Sequence, residues 1–295
     1  MASPTVLVLS VVSGICWGLG PVFSKVGMSR GGTSRRATFV VLGVGSSIYW
    51  CALFVRNGTS RILPTVTVDT VIVFAVSGVV GTSLAWLFWF WGIDRVGPSV
   101  SNVVFYTQPV FATLLAVILL DERLTPGIAV GVVLIVAGVT LLSLSGDGDV
   151  DSWATSALLF PLVAAVSAAV ANVINRFGFQ TSAISPLEAA TINLTSALPL
   201  LVGYPLLYDR HDVLSFARSD LYFVGTGLTN AAAVVSLFAA LKSGVVVVVT
   251  PIVGTSPLFT ALFAHVFLSD VERVTARTVV SAVLTVAGVA AIAVL

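Results

Sequence analysis

Ten stretches of this chain, each 18 or more residues long, contain no Asp, Glu, Lys or Arg: 1–24, 37–55, 70–93, 96–120, 124–146, 152–175, 189–208, 221–241, 243–269 and 278–295. A helix rises about 1.5 Å per residue, so roughly 20 apolar residues cross a hydrocarbon core about 30 Å thick. The runs predict an all-α integral membrane protein with ten transmembrane helices. Only 9% of the 295 residues are charged, against 57% hydrophobic, and mean hydropathy is +1.08. An average soluble domain has about a quarter of its residues charged. A large soluble protein of buried helices would need amphipathic surface helices with a charged face, and none is visible. Met1–Pro4 carries no Lys or Arg, and the first run is too long for the apolar core of a cleaved signal peptide. It is expected to remain as the first helix.

The chain also repeats itself. QPVFATLLAVILL (108–120) leads into Glu122-Arg123-Leu124-Thr125 and then LIVAGV (134–139). SPLFTALFAHVFL (256–268) leads into Glu272-Arg273-Val274-Thr275 and then LTVAGV (284–289). Gln108 and Ser256 lie 148 positions apart and Glu122 and Glu272 lie 150 apart, so the second copy carries an insertion. The duplication divides the chain into residues 1–145 and 154–295, with five runs in each. The linker between them, GDGDVDSW (146–153), reads as a solvated turn. Its aspartates lack the fuller ligand series, ending in Glu, of a calcium-binding EF-hand loop. A duplicated unit with an odd number of spans must re-enter the membrane in the opposite direction. Two inverted five-helix repeats follow, with a site expected at their interface near the midplane. The two Glu-Arg pairs should then lie on opposite membrane faces.

The stretch from Gly97 to Val139, with its Pro-Val-Phe-Ala, Leu-Asp-Glu-Arg-Leu-Thr and Leu-Ile-Val-Ala-Gly segments, resembles the signature region of EamA-like members of the drug/metabolite transporter superfamily. Trp17-Gly18 followed by Lys25, and Arg35-Arg36-Ala37, resemble further family features, and the resemblance implies a place at the cavity rim for Lys25, Arg35 and Arg36. The likeness covers essentially the whole chain. It implies a ten-helix carrier of two five-helix repeats and says nothing of substrate. The second copy departs at its first run, where Ala168 stands in the place of Trp17, and Asn172, Asn175 and Arg176 replace Pro21, Ser24 and Lys25. A symmetric site is therefore not expected.

Carboxylates fall at run ends or between runs, with Glu188 nearest an interior. Ser185-Pro186-Leu187-Glu188 has the spacing of a helix capping box, which favours a structural role for that glutamate. The substrate-cavity candidates are uncharged for the most part. Tyr106 and Gln108 precede Pro109; Thr250 and Ser256 flank Pro251 and Pro257; Asn172, Asn175 and Asn230 lie inside runs. An amide in hydrocarbon needs a partner, and helix–helix hydrogen bonding is the default. Near prolines a second option arises, because Pro109 has no N–H for the carbonyl of Phe105 and Pro257 none for that of Val253. Trp86 and Phe90 share a helix face and are candidates for an apolar wall. Trp17 and Lys25 complete the set, Lys25 as a cationic group at the cavity rim. His265 is the other titratable side chain within a run and a candidate for ion coupling. The small residues of the fifth and tenth runs, Gly131, Gly138, Ser281 and Gly288, read as close helix packing.

These observations predict a secondary membrane transporter, a carrier or exporter, of small organic metabolites, amino-acid-like or amphiphilic, working by alternating access. The competing classes are a sensor or receptor and an intramembrane enzyme. An enzyme needs a nucleophile paired with a base or a metal motif such as His-Glu-x-x-His, and neither exists; nor does a P-loop. The last run lacks the lysine a retinal pigment requires. No catalytic residue, metal site or cofactor is expected. The expected partners are a small-molecule substrate and the lipid bilayer, with the chain a monomer or homodimer. A net charge of +1 gives no case for nucleic acid. Cys16 and Cys51 lie inside runs, which excludes a disulfide framework. The expected location is the plasma membrane, with cytoplasmic termini. In that orientation five basic residues fall on inner loops and nine on outer ones, against the positive-inside tendency.

Overall fold

The computed structural model describes residues 3–58, 66–143, 155–208, 217–267 and 276–294. The linker 146–153 and the second Glu-Arg pair lie outside the described residues. The described chain is helical, with no strand. The first half runs α1 (Pro4–Ser29), α2 (Ser34–Asn57), α3 (Val68–Ser77), a π-helical turn (Gly78–Leu84), α4 (Ala85–Phe105), α5 (Gln108–Leu120) and α6 (Pro126–Ser143). After a short 3-10 turn (Thr155–Leu158), the second half runs α7 (Leu159–Thr181), α8 (Pro186–Tyr208), α9 (Asp220–Ser243), α10 (Val246–Val253), α11 (Ser256–Phe267) and α12 (Ala276–Val294). Helices are what apolar runs must form in lipid, where each backbone N–H and C=O has to be satisfied within its own segment.

Eight of these stretches are long and apolar enough to cross a membrane, and Pro126–Leu142 is a shorter apolar helix. The expected count of ten is therefore not reached among the described residues. α6 starts only at Pro126, and residues 144–154 beyond it are not described; α8 has the length, 23 residues, but side chains near its end lie outside the description. Punctuation also differs from expectation. The helix runs through Asp94-Arg95 and breaks at Gly97, whose φ of 77° and ψ of 161° put it in a region open essentially to glycine alone.

Starts are set by local chemistry. Thr33 and Thr67 accept hydrogen bonds from the backbone N–H of Arg36 and Thr70, 3.3 Å each. The capping box forms as its spacing predicts: Ser185 N–H donates to Glu188 Oε2 at 2.8 Å, and Glu188 N–H to Ser185 Oγ at 3.3 Å.

The most extensive helix pairs join the two halves. α1 packs on α9 as α4 packs on α7; α1 packs on α11 as α5 packs on α7; α2 packs on α9 as α3 and the π turn pack on α8. α6 and α12 pack on each other. Their approach needs small residues: a Cβ on Gly131 would stand 2.6 Å from the Gly288 carbonyl oxygen. The core runs through the middle of this interface, with Ala112, Ala116, Val246, Val249 and Ile252 among its fully buried members.

Candidate transport site at two helix breaks

Each half interrupts one membrane-crossing stretch at a proline. α4 ends at Phe105 and α5 restarts at Gln108; α10 ends at Val253 and α11 restarts at Ser256. The two breaks have the same hydrogen bonding. Thr107 N–H reaches Val104 O at 3.1 Å and Val110 N–H reaches Thr107 O at 2.9 Å; Thr255 N–H reaches Ile252 O at 3.1 Å and Leu258 N–H reaches Thr255 O at 3.0 Å. The Thr107 hydroxyl donates to Val104 O at 2.6 Å and that of Thr255 to Ile252 O at 2.7 Å. A threonine thus takes up a carbonyl of the broken helix where a proline two residues later cannot continue the helical ladder. Thr107 was not singled out from sequence, although Thr-x-Pro recurs at the 148-residue offset of the repeat.

The breaks touch: a Cβ on Gly254 would stand 3.0 Å from Pro109 Cγ. α1 covers the second break, where a Cβ on Gly18 would meet Ser256 O at 2.9 Å and Phe259 Cβ at 2.5 Å. α7 packs on α5 beside the first break, with Ala165 and Ala169 fully buried at the positions corresponding to Gly14 and Gly18.

The structure sorts the candidates by whether their polar groups are already used. Asn175 is used: Ser77 Oγ donates to its Oδ1, Asn193 Nδ2 donates to Ser77 Oγ at 3.1 Å, and Thr82 Oγ1 donates to Asn193 Oδ1 at 3.0 Å. That buried network ties α7 and α8 to the π turn. Thr250 donates to Val246 O at 2.9 Å within its own helix. Asn102 accepts from Trp89 Nε1 at 3.1 Å. In contrast, the side chains of Trp17, Lys25, Tyr106, Gln108, Asn172 and Ser256 make no hydrogen bond among the described residues. Asn230 Oδ1 is buried without a partner where α9 crosses Gly20 of α1. Trp86 stacks edge-on with Phe90 at 6.2 Å and packs against the cluster of Leu42, Ala197 and Leu201, between α2 and α8. Phe90 continues through Trp89 and Phe105 to Tyr106 as a chain of ring contacts. His265 is exposed in the last turn of α11, away from the break at its start. No cluster of three or more His, Cys, Asp or Glu suited to a metal occurs among the described residues.

Two charged features have functions their sequence positions did not suggest. Arg36, expected at a cavity rim, is instead buried in a two-pronged ion pair with Asp220, Nη2 to Oδ2 at 2.7 Å, joining α2 to the start of α9. Desolvation of an arginine among apolar helices demands such a partner, and Asp220 supplies both oxygens. Glu122 is 7% exposed, and its two oxygens accept from Val246 N–H at 2.9 Å and Val247 N–H at 3.0 Å, the first turn of α10. Arg176 lies beside it, Nε to Oε1 at 3.7 Å, and its Nη1 donates to Leu241 O at 2.8 Å.

The two ends of the interface differ. On α7 the stripe Ala169, Asn172 and Phe179 stays buried, with Arg176 partly so. On α1 the corresponding stripe runs Gly18, Pro21, Lys25 and Met28, and its last three residues are exposed. Val248–Ile252 are all buried, whereas of their counterparts at 100–104 only Ser101 is. α7 touches α9 and α10, but α1 makes no comparable packing with α4. The Glu122 end is therefore packed shut, whereas Pro21, Lys25 and Met28 at the repeat-related end are exposed.

A model of the EamA-like transporter family matches residues 4–144 and again 155–294. An uncharacterized transporter of Archaeoglobus fulgidus is 24% identical over 276 residues, covering 92% of each chain. A permease-like protein of Bacillus subtilis strain 168, YdzE, is 35% identical over 75 residues, 25% of this chain and 96% of that protein. A crystal structure superposes with a TM-score of 0.79 at 18% identity, covering 97% of this chain and 95% of the other, which is a likeness of fold. With family matches across both halves and transporter-named relatives, this chain is a multi-pass membrane transporter and belongs to the EamA-like transporter family.

Proposed function

We propose that the chain is a secondary carrier of small organic, amino-acid-like metabolites. It crosses the plasma membrane ten times as two inverted five-helix repeats, with cytoplasmic termini, and works by alternating access. The reciprocal packing of helices between the halves supports the two-fold plan, since the most extensive pairings have counterparts with the halves exchanged. The observation that carries the site is the meeting of the two breaks at Pro109 and Gly254, surrounded by polar side chains with no protein partner. Broken helices expose backbone and polar groups only where these line a cavity. Tyr106, Gln108, Asn172 and Ser256 supply neutral donors and acceptors, and the rings from Phe90 to Tyr106 supply an apolar wall. A substrate with a polar head and an apolar body fits that division.

The test is a metabolite-release screen on cells overexpressing the chain, followed by counterflow of the released compounds into liposomes carrying purified protein. At least one compound should exchange faster than into empty liposomes, and Gln108→Ala or Ser256→Ala should raise its KM. Exchange no faster than in empty liposomes for every released compound would overturn the carrier reading.

A further inference from the structure

Three membrane-crossing helices have ends that meet at one corner of the molecule: α1 stops at Ser29, α2 starts at Ser34 and α9 starts at Asp220. Gly31, with a φ of 88°, turns the chain out of α1. Gly32 then lies so close to α9 that a Cβ there would stand 2.5 Å from Phe223 Cζ. Arg36 and Asp220 pair across the same joint. Arg30 holds its guanidinium carbon 4.6 Å from the centre of the Tyr222 ring, in the first turn of α9.

Charge at this corner is one-sided. Asp220 is the only carboxylate in residues 20–38 and 217–229, and Arg36 neutralises it. Arg30 and Arg218 are exposed, and neither side chain has a hydrogen bond or ion pair among the described residues. Arg218 sits in the turn that Asp220 closes by accepting from Ala217 N–H at 3.0 Å, four positions before Tyr222. Stacking on a ring face leaves the N–H edges of a guanidinium free, and those edges match two oxygens of a phosphate. On the face of α9 that carries Arg218, Leu221 and Leu228 follow three and ten positions on, both exposed. Cations thus stand at the head of an exposed apolar stripe that runs down a membrane-crossing helix.

We propose that this corner binds an anionic phospholipid, with its phosphate on Arg30 and Arg218 and its acyl chains along Leu221 and Leu228. A zwitterionic headgroup brings its own cation against two uncompensated arginines, so the corner selects for net negative charge. Exposed arginines elsewhere lack the same set of features. Arg95 also stacks, on Phe160, but donates from Nη1 to Trp91 O at 3.2 Å. Arg56, near the end of α2, stacks on no ring among the described residues. A lipid seated here ties the α1–α2 turn of the first half to α9 of the second, and so stabilises the folded chain by mass action.

The experiment needs no transported compound, so its outcome is independent of the carrier reading. Full-length protein, delipidated in neutral detergent, is mixed with dioleoyl phosphatidylglycerol, dioleoyl phosphatidylcholine or inorganic phosphate. Native mass spectrometry counts bound lipid, and the thermal midpoint is followed beside it. Phosphatidylglycerol should stay bound and raise the midpoint; phosphatidylcholine and phosphate should do neither. Arg30→Ala and Arg218→Ala should each weaken phosphatidylglycerol binding about fivefold, and Arg56→Ala should leave it unchanged. Both arginines are exposed, so neither substitution disturbs the packed core. Tyr222→Leu separates a built corner from charge alone, because it removes the ring and keeps every charge. It should weaken binding, whereas Tyr222→Phe should not. Equal phosphatidylglycerol binding in wild type and the doubly substituted Arg30→Ala, Arg218→Ala protein would overturn the proposal, as would equal binding in Tyr222→Leu. Equal retention of phosphatidylcholine, or the same stabilisation by inorganic phosphate, would overturn it too, the latter by showing a plain anion site.

Discussion

Arg36 shows how a single residue is reassigned once its surroundings are known. Sequence places it at the head of an uncharged run among other basic residues, as a rim group. The fold places it against Asp220, whose carboxylate also accepts from Ala217 N–H at 3.0 Å. Removing one member of a buried, hydrogen-bonded pair typically costs about 3–5 kcal/mol, since the other charge is left in apolar surroundings. Arg36→Ala should therefore lower the thermal midpoint of the detergent-solubilised protein sharply, and Arg36→Ala with Asp220→Asn should recover part of it. Thermal size-exclusion chromatography reads both; equal midpoints for wild type and Arg36→Ala would show that the pair adds no stability. Gly78 is constrained by backbone in the same way. A Cβ there would lie 2.1 Å from Asn193 O, so Gly78→Ala must push α8 off the π turn. Overpacking of this kind costs about 1–3 kcal/mol and should appear in the same assay. Neither constraint is legible in sequence, because each depends on a partner more than a hundred residues away.

At the scale of elements the sequence was informative where a rule is local. Uncharged runs mark helices and Ser-x-x-Glu marks a cap, as the structure has them. Proline is a less regular sign: helices break just before Pro109 and Pro257, where the lost hydrogen bonds were expected, but Pro21 and Pro251 lie inside α1 and α10. That the two breaks touch was not legible, because contact between α5 and α10 is tertiary. Likewise Asn175 and Asn172 look alike in sequence, yet Ser77 occupies the first and nothing occupies the second. The π turn at Gly78–Leu84 has no local signal beyond its two glycines, since it forms to fit Asn193 and Ala171. Pro109→Ala or Pro257→Ala restores an N–H and should, if anything, strengthen the helix. Transport is expected to fall several-fold while expression and thermal midpoint hold. Unchanged counterflow in both variants would remove the prolines from the mechanism.

At the scale of the whole molecule, orientation and energy coupling follow from where charge lies. The proposed cytoplasmic termini would put Glu122 at the cytoplasmic face and Lys25 at the outer one. The excess of basic residues on the outer side argues the other way, but several are fixed by folded contacts: Arg36 on Asp220, Arg30 over Tyr222 at 4.6 Å, and Arg95 over Phe160 at 4.0 Å. In intact cells, with the native cysteines replaced, Asp94→Cys should react with an impermeant thiol reagent and Arg56→Cys should not; the opposite pattern inverts the protein. Coupling is the remaining question. The unpartnered groups at the breaks are amides, hydroxyls and an indole, and none carries a proton that leaves near neutral pH. The carboxylates nearest the site are committed, Glu122 to α10 and Glu188 to its cap. The expected behaviour is therefore facilitative exchange down the substrate's own gradient. His265, the candidate coupling group, stands at the exposed end of α11. In liposomes, substrate should equilibrate without accumulating under an imposed pH or Na⁺ gradient. Accumulation driven by the pH gradient, and lost in His265→Ala, would make that histidine the coupling group and end the facilitative reading.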